Sequence, residues 1–181
     1  MFFKSCFILQ YALSLLCQVL TKAEFDAIDD LDKLFTLGMT THGEGCHTVV
    51  ISSKRTITNA LHCYEACNVE GICLTADYKW KLTRNQWPLG VLGTDQIMGK
   101  KGEAHSMIPF ILGWSTSESI DSFEFLLETF LQAIDEFFGI KDLNVVSANI
   151  DHSQSLRYMI IAFLIHMSTR HLFFVWLTQY T

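Results

Sequence analysis

Two aspartates, Asp77 and Asp151, each follow an apolar run with the look of a strand, Gly71–Ala76 before the first and Leu143–Ile150 before the second. Carboxylates brought together at strand ends can hold divalent metal against a phosphodiester, with one ion activating the attacking oxygen and another stabilising the leaving one. Mg²⁺, or Mn²⁺, suits such a site because it prefers oxygen ligands and keeps several waters. The two positions are far apart in sequence, so only a fold that sets their strands side by side could join them. Local sequence also fits plainer roles, since aspartate often forms turns and Asp151 stands where it could cap a helix beginning at Ser153.

Other residues of chemical interest surround these. Lys79, Lys81 and Arg84 form a basic group just after Asp77 that could contact phosphates without reading base sequence. Trp80 and Trp87 could stack on bases, or pack beneath a hairpin. His105 and His152 could touch substrate, or serve as hydrogen-bonded structural histidines. Cys46-His47 and His62-Cys63-x3-Cys67 have zinc-compatible residue types, but no paired C-x2-C units set up a tetrahedral site.

The elements that must position these groups are legible as patterns. Thr48–Ser52 is a β-branched run, and Ser53-Lys54-Arg55 followed by Ile57, Ala60, Leu61 and Tyr64 reads as a helix opening directly after it. Gly71–Ala76, Trp87–Gly93 and His105–Trp114 read as three strands in series, an antiparallel meander, with Gly99, Lys100, Lys101 and Gly102 as a hairpin connection. Ser115-Thr116-Ser117-Glu118 fits a capping box. From it Ile120, Phe123, Leu127, Phe130, Ile134 and Phe137 recur at helical spacing, which predicts a helix from about Ser117 to Phe138 with one apolar stripe. Acids hold the other face at Asp121, Glu124, Glu128 and Asp135, and Gly139 is placed to end the helix in a left-handed conformation. Leu143–Ile150 then reads as a buried strand.

The order of strand with Asp77, two further strands, long helix and strand with Asp151 matches the first part of an RNase H-like fold. In such a mixed sheet the first and fourth strands lie side by side and parallel. The fold class expected is therefore α/β, an RNase H-like mixed sheet with a long packed helix, incomplete at its C-terminal end.

A longer window carries a family resemblance. Leu74-Thr75-Ala76-Asp77-Tyr78-Lys79-Trp80-Lys81-Leu82, followed by Trp87-Pro88-Leu89-Gly90-Val91-Leu92-Gly93, resembles the first-aspartate strand and hairpin of Mutator-like (MULE-type) DNA transposases. Val50-Ile51-Ser52-Ser53-Lys54-Arg55 resembles the strand and basic turn upstream of it. Ser117-Glu118 and Asp151-His152-Ser153 are similar to the Ser-Glu pair and second-aspartate segment of the same family. The likeness covers about residues 48–158, with residues 1–47 as an N-terminal extension and 159–181 as a divergent apolar tail. It implies metal-dependent phosphodiester hydrolysis and strand transfer, with Asp77 and Asp151 as catalytic metal ligands and Mg²⁺ (or Mn²⁺) as cofactor. It also implies transposon-end DNA and intact transposase as partners, and a nuclear location. A complete core of this family continues to a Cys/His motif and a third acid, a glutamate on a late helix. Here Tyr158–Thr181 holds no Asp or Glu, so the expectation is a truncated and inactive copy.

Composition bounds these readings. Of 181 residues, 50% are hydrophobic and 18% charged, which argues for a folded domain. The formal net charge of −6 is the wrong sign for a surface that grips phosphates throughout. The acids gather at Glu24, Asp26, Asp29, Asp30 and Asp32 and again over 118–151, whereas 71–116 is net basic. DNA contact would therefore be local.

The terminal segments open a competing function. Lys4, the apolar run Cys6–Leu20 and Ala23 resemble a signal peptide, although Gln10 and Gln18 interrupt the run and an amphipathic helix fits as well. A secreted interaction protein with two bridges among Cys46, Cys63, Cys67 and Cys73 is the alternative. A non-catalytic DNA-binding remnant is a third. No stretch of 18 or more continuous apolar residues marks a membrane span, and residues 24–47 read as a surface connection.

Overall fold

The computed structural model describes residues 20–42, 46–66, 71–79, 87–98, 104–117, 119–141 and 143–150. They form one six-stranded sheet: β1 (Leu34–His42), β2 (Cys46–Ser53), β3 (Ile72–Lys79), β4 (Leu89–Met98), β5 (Ala104–Ser115) and β6 (Val145–Ile150), in spatial order β1-β2-β5-β4-β3-β6. Every neighbouring pair is antiparallel except β3 and β6, which are parallel. Among the described residues three helices accompany it: α1 (Lys22–Asp26), α2 (Lys54–Ala66) and α3 (Ile120–Phe138). The architecture is mixed α/β. The expected meander is present as β3-β4-β5, and α3 is the crossover that carries the chain from β5 to β6, parallel strands that no tight turn could join.

Both long helices lie on one face of the sheet. Val50, Leu74, Ala76, Leu92 and Ile111 on that face share a single buried cluster with Ile57 and Ala60 of α2 and Phe123, Leu126, Phe130 and Ile134 of α3. The approach is close. A Cβ on Gly113 would sit 2.8 Å from a Leu126 methyl, and one on Gly38 would sit 3.1 Å from the Phe125 ring.

A β-bulge sharpens this packing. Ile111 pairs with Leu92 but Pro109 pairs with Gly93, so Phe110 is an extra residue on β5. The bulge turns Phe110 to the helix side together with Ile111, where its ring stacks on Phe130. The Ser52 hydroxyl of β2 donates to the Phe110 carbonyl at 2.8 Å. Ser52 is itself buried, so this bond satisfies two groups that water cannot reach.

Several sequence expectations need correction. Residues 24–47, read as a surface connection, contain part of α1, all of β1 and the start of β2, and Phe25 stacks on Phe137 inside the core. α3 begins at Ile120 with Ser119 as its cap, and the reciprocal capping partner is Ser122 rather than Glu118. Ser115 instead ends β5, its hydroxyl 3.2 Å from that of Thr48. Ile120 is exposed, whereas Phe123, Leu127, Phe130, Ile134 and Phe137 are buried as the stripe predicts. Gly139 caps the helix in the left-handed region, with φ 71°. Among the described residues no helix is long and apolar enough to cross a membrane.

Candidate functional site

Asp77 lies within β3, opposite Val91 of β4, rather than beyond the strand end. Side chains alternate along a strand. Leu74 and Ala76 point into the helix-side core, so Asp77 belongs to the other face, with Thr75 and Cys73. It is half-buried there.

β6 is the direct parallel neighbour of β3, with Leu74 opposite Ala148, Thr75 opposite Asn149 and Ala76 opposite Ile150. Each residue of that last pair immediately precedes an aspartate in the chain. Asp151 itself lies outside the described residues, as do Trp80, Lys81, Arg84, Glu118 and His152. Lys79 closes β3 at the level of Leu89, and His105 pairs with Ile97 along β5. The topology therefore brings together the two strands that the sequence singled out. Among the described residues Asp77 is the only one of the proposed metal ligands, and no group of three or more His, Cys, Asp or Glu side chains is placed to hold a metal.

The other candidates have structural partners. His47 Nδ1 lies 3.0 Å from the Thr41 hydroxyl, and the His47 amide donates to the Thr116 hydroxyl at 2.9 Å. These contacts tie β1 and β2 to the end of β5. Cys63 lies half-buried against the core, and Cys73, exposed on β3, is a free thiol. Cys67, a member of the two bridges of the secreted alternative, lies outside the described residues.

The sheet surface around Asp77 is apolar. Register aligns Ile51, Leu112, Val91 and Asp77 in one row across the sheet, and Met39, Val49, Trp114 and Leu89 in the next. Asp77 thus sits at the edge of an apolar face. The signal in the sequence was the alternation Leu89/Val91, Leu112/Trp114 and Val49/Ile51, but only strand pairing assembles those pairs into a surface. No protein-family model, curated protein or solved structure matches the chain.

Proposed function

We propose that this chain carries the first part of an RNase H-like transposase core of the Mutator-like kind, in which Asp77 and Asp151 share divalent metal. The observation that supports it best is the parallel pairing of β3 with β6 in a register that ends at Ala76 and Ile150. The strand order 5-4-3-6 around it, with α3 as crossover, is the arrangement such a core requires.

In this reading Asp77 and Asp151 are the carboxylate ligands of Mg²⁺ or Mn²⁺. When bound, the ions supply Lewis acidity to a phosphodiester and lower the pKa of a nucleophilic water. Lys79, Lys81 and Arg84 hold the DNA backbone by charge, which orients the strand without specifying its sequence. Residues 152–181 contain no Asp or Glu, so in this reading Asp77 and Asp151 hold the metal without a later acid from that stretch, and binding is weak. Transposon-end DNA, an intact transposase and a nuclear location follow from the same reading.

Metal titration tests it. Binding to the native state alone adds RT ln(1 + [L]/Kd), or about 2.7 kcal/mol at 100 times Kd. Mn²⁺ should raise the thermal midpoint of the wild-type chain, while the double variant Asp77→Asn, Asp151→Asn should lose that response. Equal shifts in both proteins, or none in either, would defeat the assignment.

A further inference from the structure

Residues 20–33 run ahead of β1 with one side chain sunk into the domain. Of residues 20–34 only Phe25 is buried; Leu20 and Ile28 are half-buried, and the rest are exposed. The Phe25 ring stacks on Phe137, with centroids 4.2 Å apart, and meets Phe35 and Phe138 edge-on. Those three rings make a socket, and Phe25 plugs it.

Lys54, the first residue of α2, holds the plug. Its ammonium donates to the carbonyls of Asp26 and Ile28, each at 2.9 Å, and lies 5.4 Å from the centre of the Phe25 ring. Hydrogen bonds from a charged donor are the stronger kind, and the ring face adds its own attraction for a cation. The two helices thereby cap each other. α1 has no basic residue in its last turn, so Lys54 supplies the charge that its last carbonyls accept. In the first turn of α2, where a helix offers its amides no acceptor of its own, the Leu31 carbonyl accepts from the Arg55 amide at 2.9 Å, and the Asp32 carboxylate pairs with the Arg55 guanidinium.

The segment's other contacts hold it less firmly. The Lys22–Asp26 and Asp32–Arg55 ion pairs have side chains more than half exposed, and exposed pairs contribute little. Lys22 also reaches the Phe25 ring, at 5.7 Å, from an exposed position. With only 5 residues, α1 is too short to be stable by itself. α3, in contrast, buries Phe123, Leu126, Phe130 and Ile134 in the core. A segment with few buried contacts opens at lower cost than such a helix.

We propose that residues 20–33 form a strap, latched by Lys54, that opens as one unit from the folded domain and bares the aromatic socket of Phe35, Phe137 and Phe138. Native-state hydrogen exchange of the full chain in low urea tests it. The amides of Phe25, Ala27 and Ile28, bonded within the strap, and of Arg55, bonded to its Leu31 carbonyl, should exchange through a common opening. That opening exposes little surface, so its urea dependence should be shallower than that of the α3 amides around Phe130. Lys54→Met keeps most of the apolar stem but removes the charged donor, and should speed exchange of all four amides about tenfold or more. Ile134→Val weakens the core without touching the strap, and should speed exchange in α3 while leaving the strap amides unchanged. Strap amides that share the urea slope of α3, that speed up with it in Ile134→Val, or that keep their wild-type rate in Lys54→Met would overturn the proposal. The urea series needs no variant, so it decides the matter even where a substitution prevents folding.

Discussion

The Phe110 ring lies stacked on Phe130, centroids 5.6 Å apart and planes 11° apart, which fixes the β5 bulge against the middle of α3. Both rings are fully buried. Phe130→Ala removes the stack and leaves a cavity that this rigid surround cannot fill, and should cost about 3–5 kcal/mol. Urea unfolding measures it, and a loss below about 0.5 kcal/mol would show that the stripe of α3 is not core.

The same bulge predicts the weight of one hydroxyl. Ser52→Ala deprives the Phe110 carbonyl of its 2.8 Å donor and should cost about 1–3 kcal/mol, the usual penalty for a buried polar group left unpaired. Thr56, whose hydroxyl is 2.8 Å from that of Ser52, is the neighbour expected to couple with it. A double-mutant cycle of Ser52→Ala and Thr56→Val should therefore be non-additive, and simple additivity would argue against a shared network.

Two glycines should respond to alanine for different reasons. At Gly93 a Cβ would stand 2.2 Å from the Ile108 carbonyl oxygen, a backbone atom of the paired strand, so β4 and β5 would have to separate. At Gly139 nothing lies within 4 Å and only the φ of 71° opposes the change. Gly139→Ala should cost about 1–2 kcal/mol from the left-handed conformation alone. Gly93→Ala should cost more, and the reverse order in thermal midpoints would contradict the bulge geometry.

Acid should weaken the N-terminal packing. The Thr21 amide, then its hydroxyl, hold the Glu24 carboxyl below its ordinary value of 4.5, and the Arg55 guanidinium holds Asp32 below 3.8. A carboxyl lowered in the folded state contributes stability that is present above its unfolded value and lost as pH falls through the folded one. The midpoint should therefore decline as pH drops below about 4.5, and less steeply in Glu24→Gln and Asp32→Asn. Both groups are exposed, so the effect is small and added salt should shrink it for the Asp32–Arg55 pair. Identical acid limbs in wild type and both variants would exclude these two groups as its source.

The amino-acid sequence alone determined the elements whose signals are local. The 3.6-residue stripe of α3, its stop at Gly139, the helix opening after Ser53 and the β3-β4-β5 meander all follow from periodicity and from residues with few conformational choices. β1 stayed hidden because its Thr and Gly residues resemble a connection, and because the bulge between Thr36 and Gly38 breaks the alternation that marks a strand. The start of α3 was misplaced for a related reason. Ser115, Ser117 and Ser119 can all cap a helix; the pairing of β5 with β2 takes Ser115 into the strand, and Ser119 is the cap because its hydroxyl accepts from the Ser122 amide.

For the candidate site, sequence supplied the aspartates and the expectation that their strands meet. Tertiary structure decided that β3 and β6 are parallel neighbours and that Asp77 lies inside β3, because pairing with β4 extends the strand to Lys79. It also decided that Asp77 shares a face with Val91, Leu112 and Ile51. A strand's own pattern shows which residues lie on one side of it, but the identity and register of its neighbours arise from contacts between distant segments, which no local pattern contains.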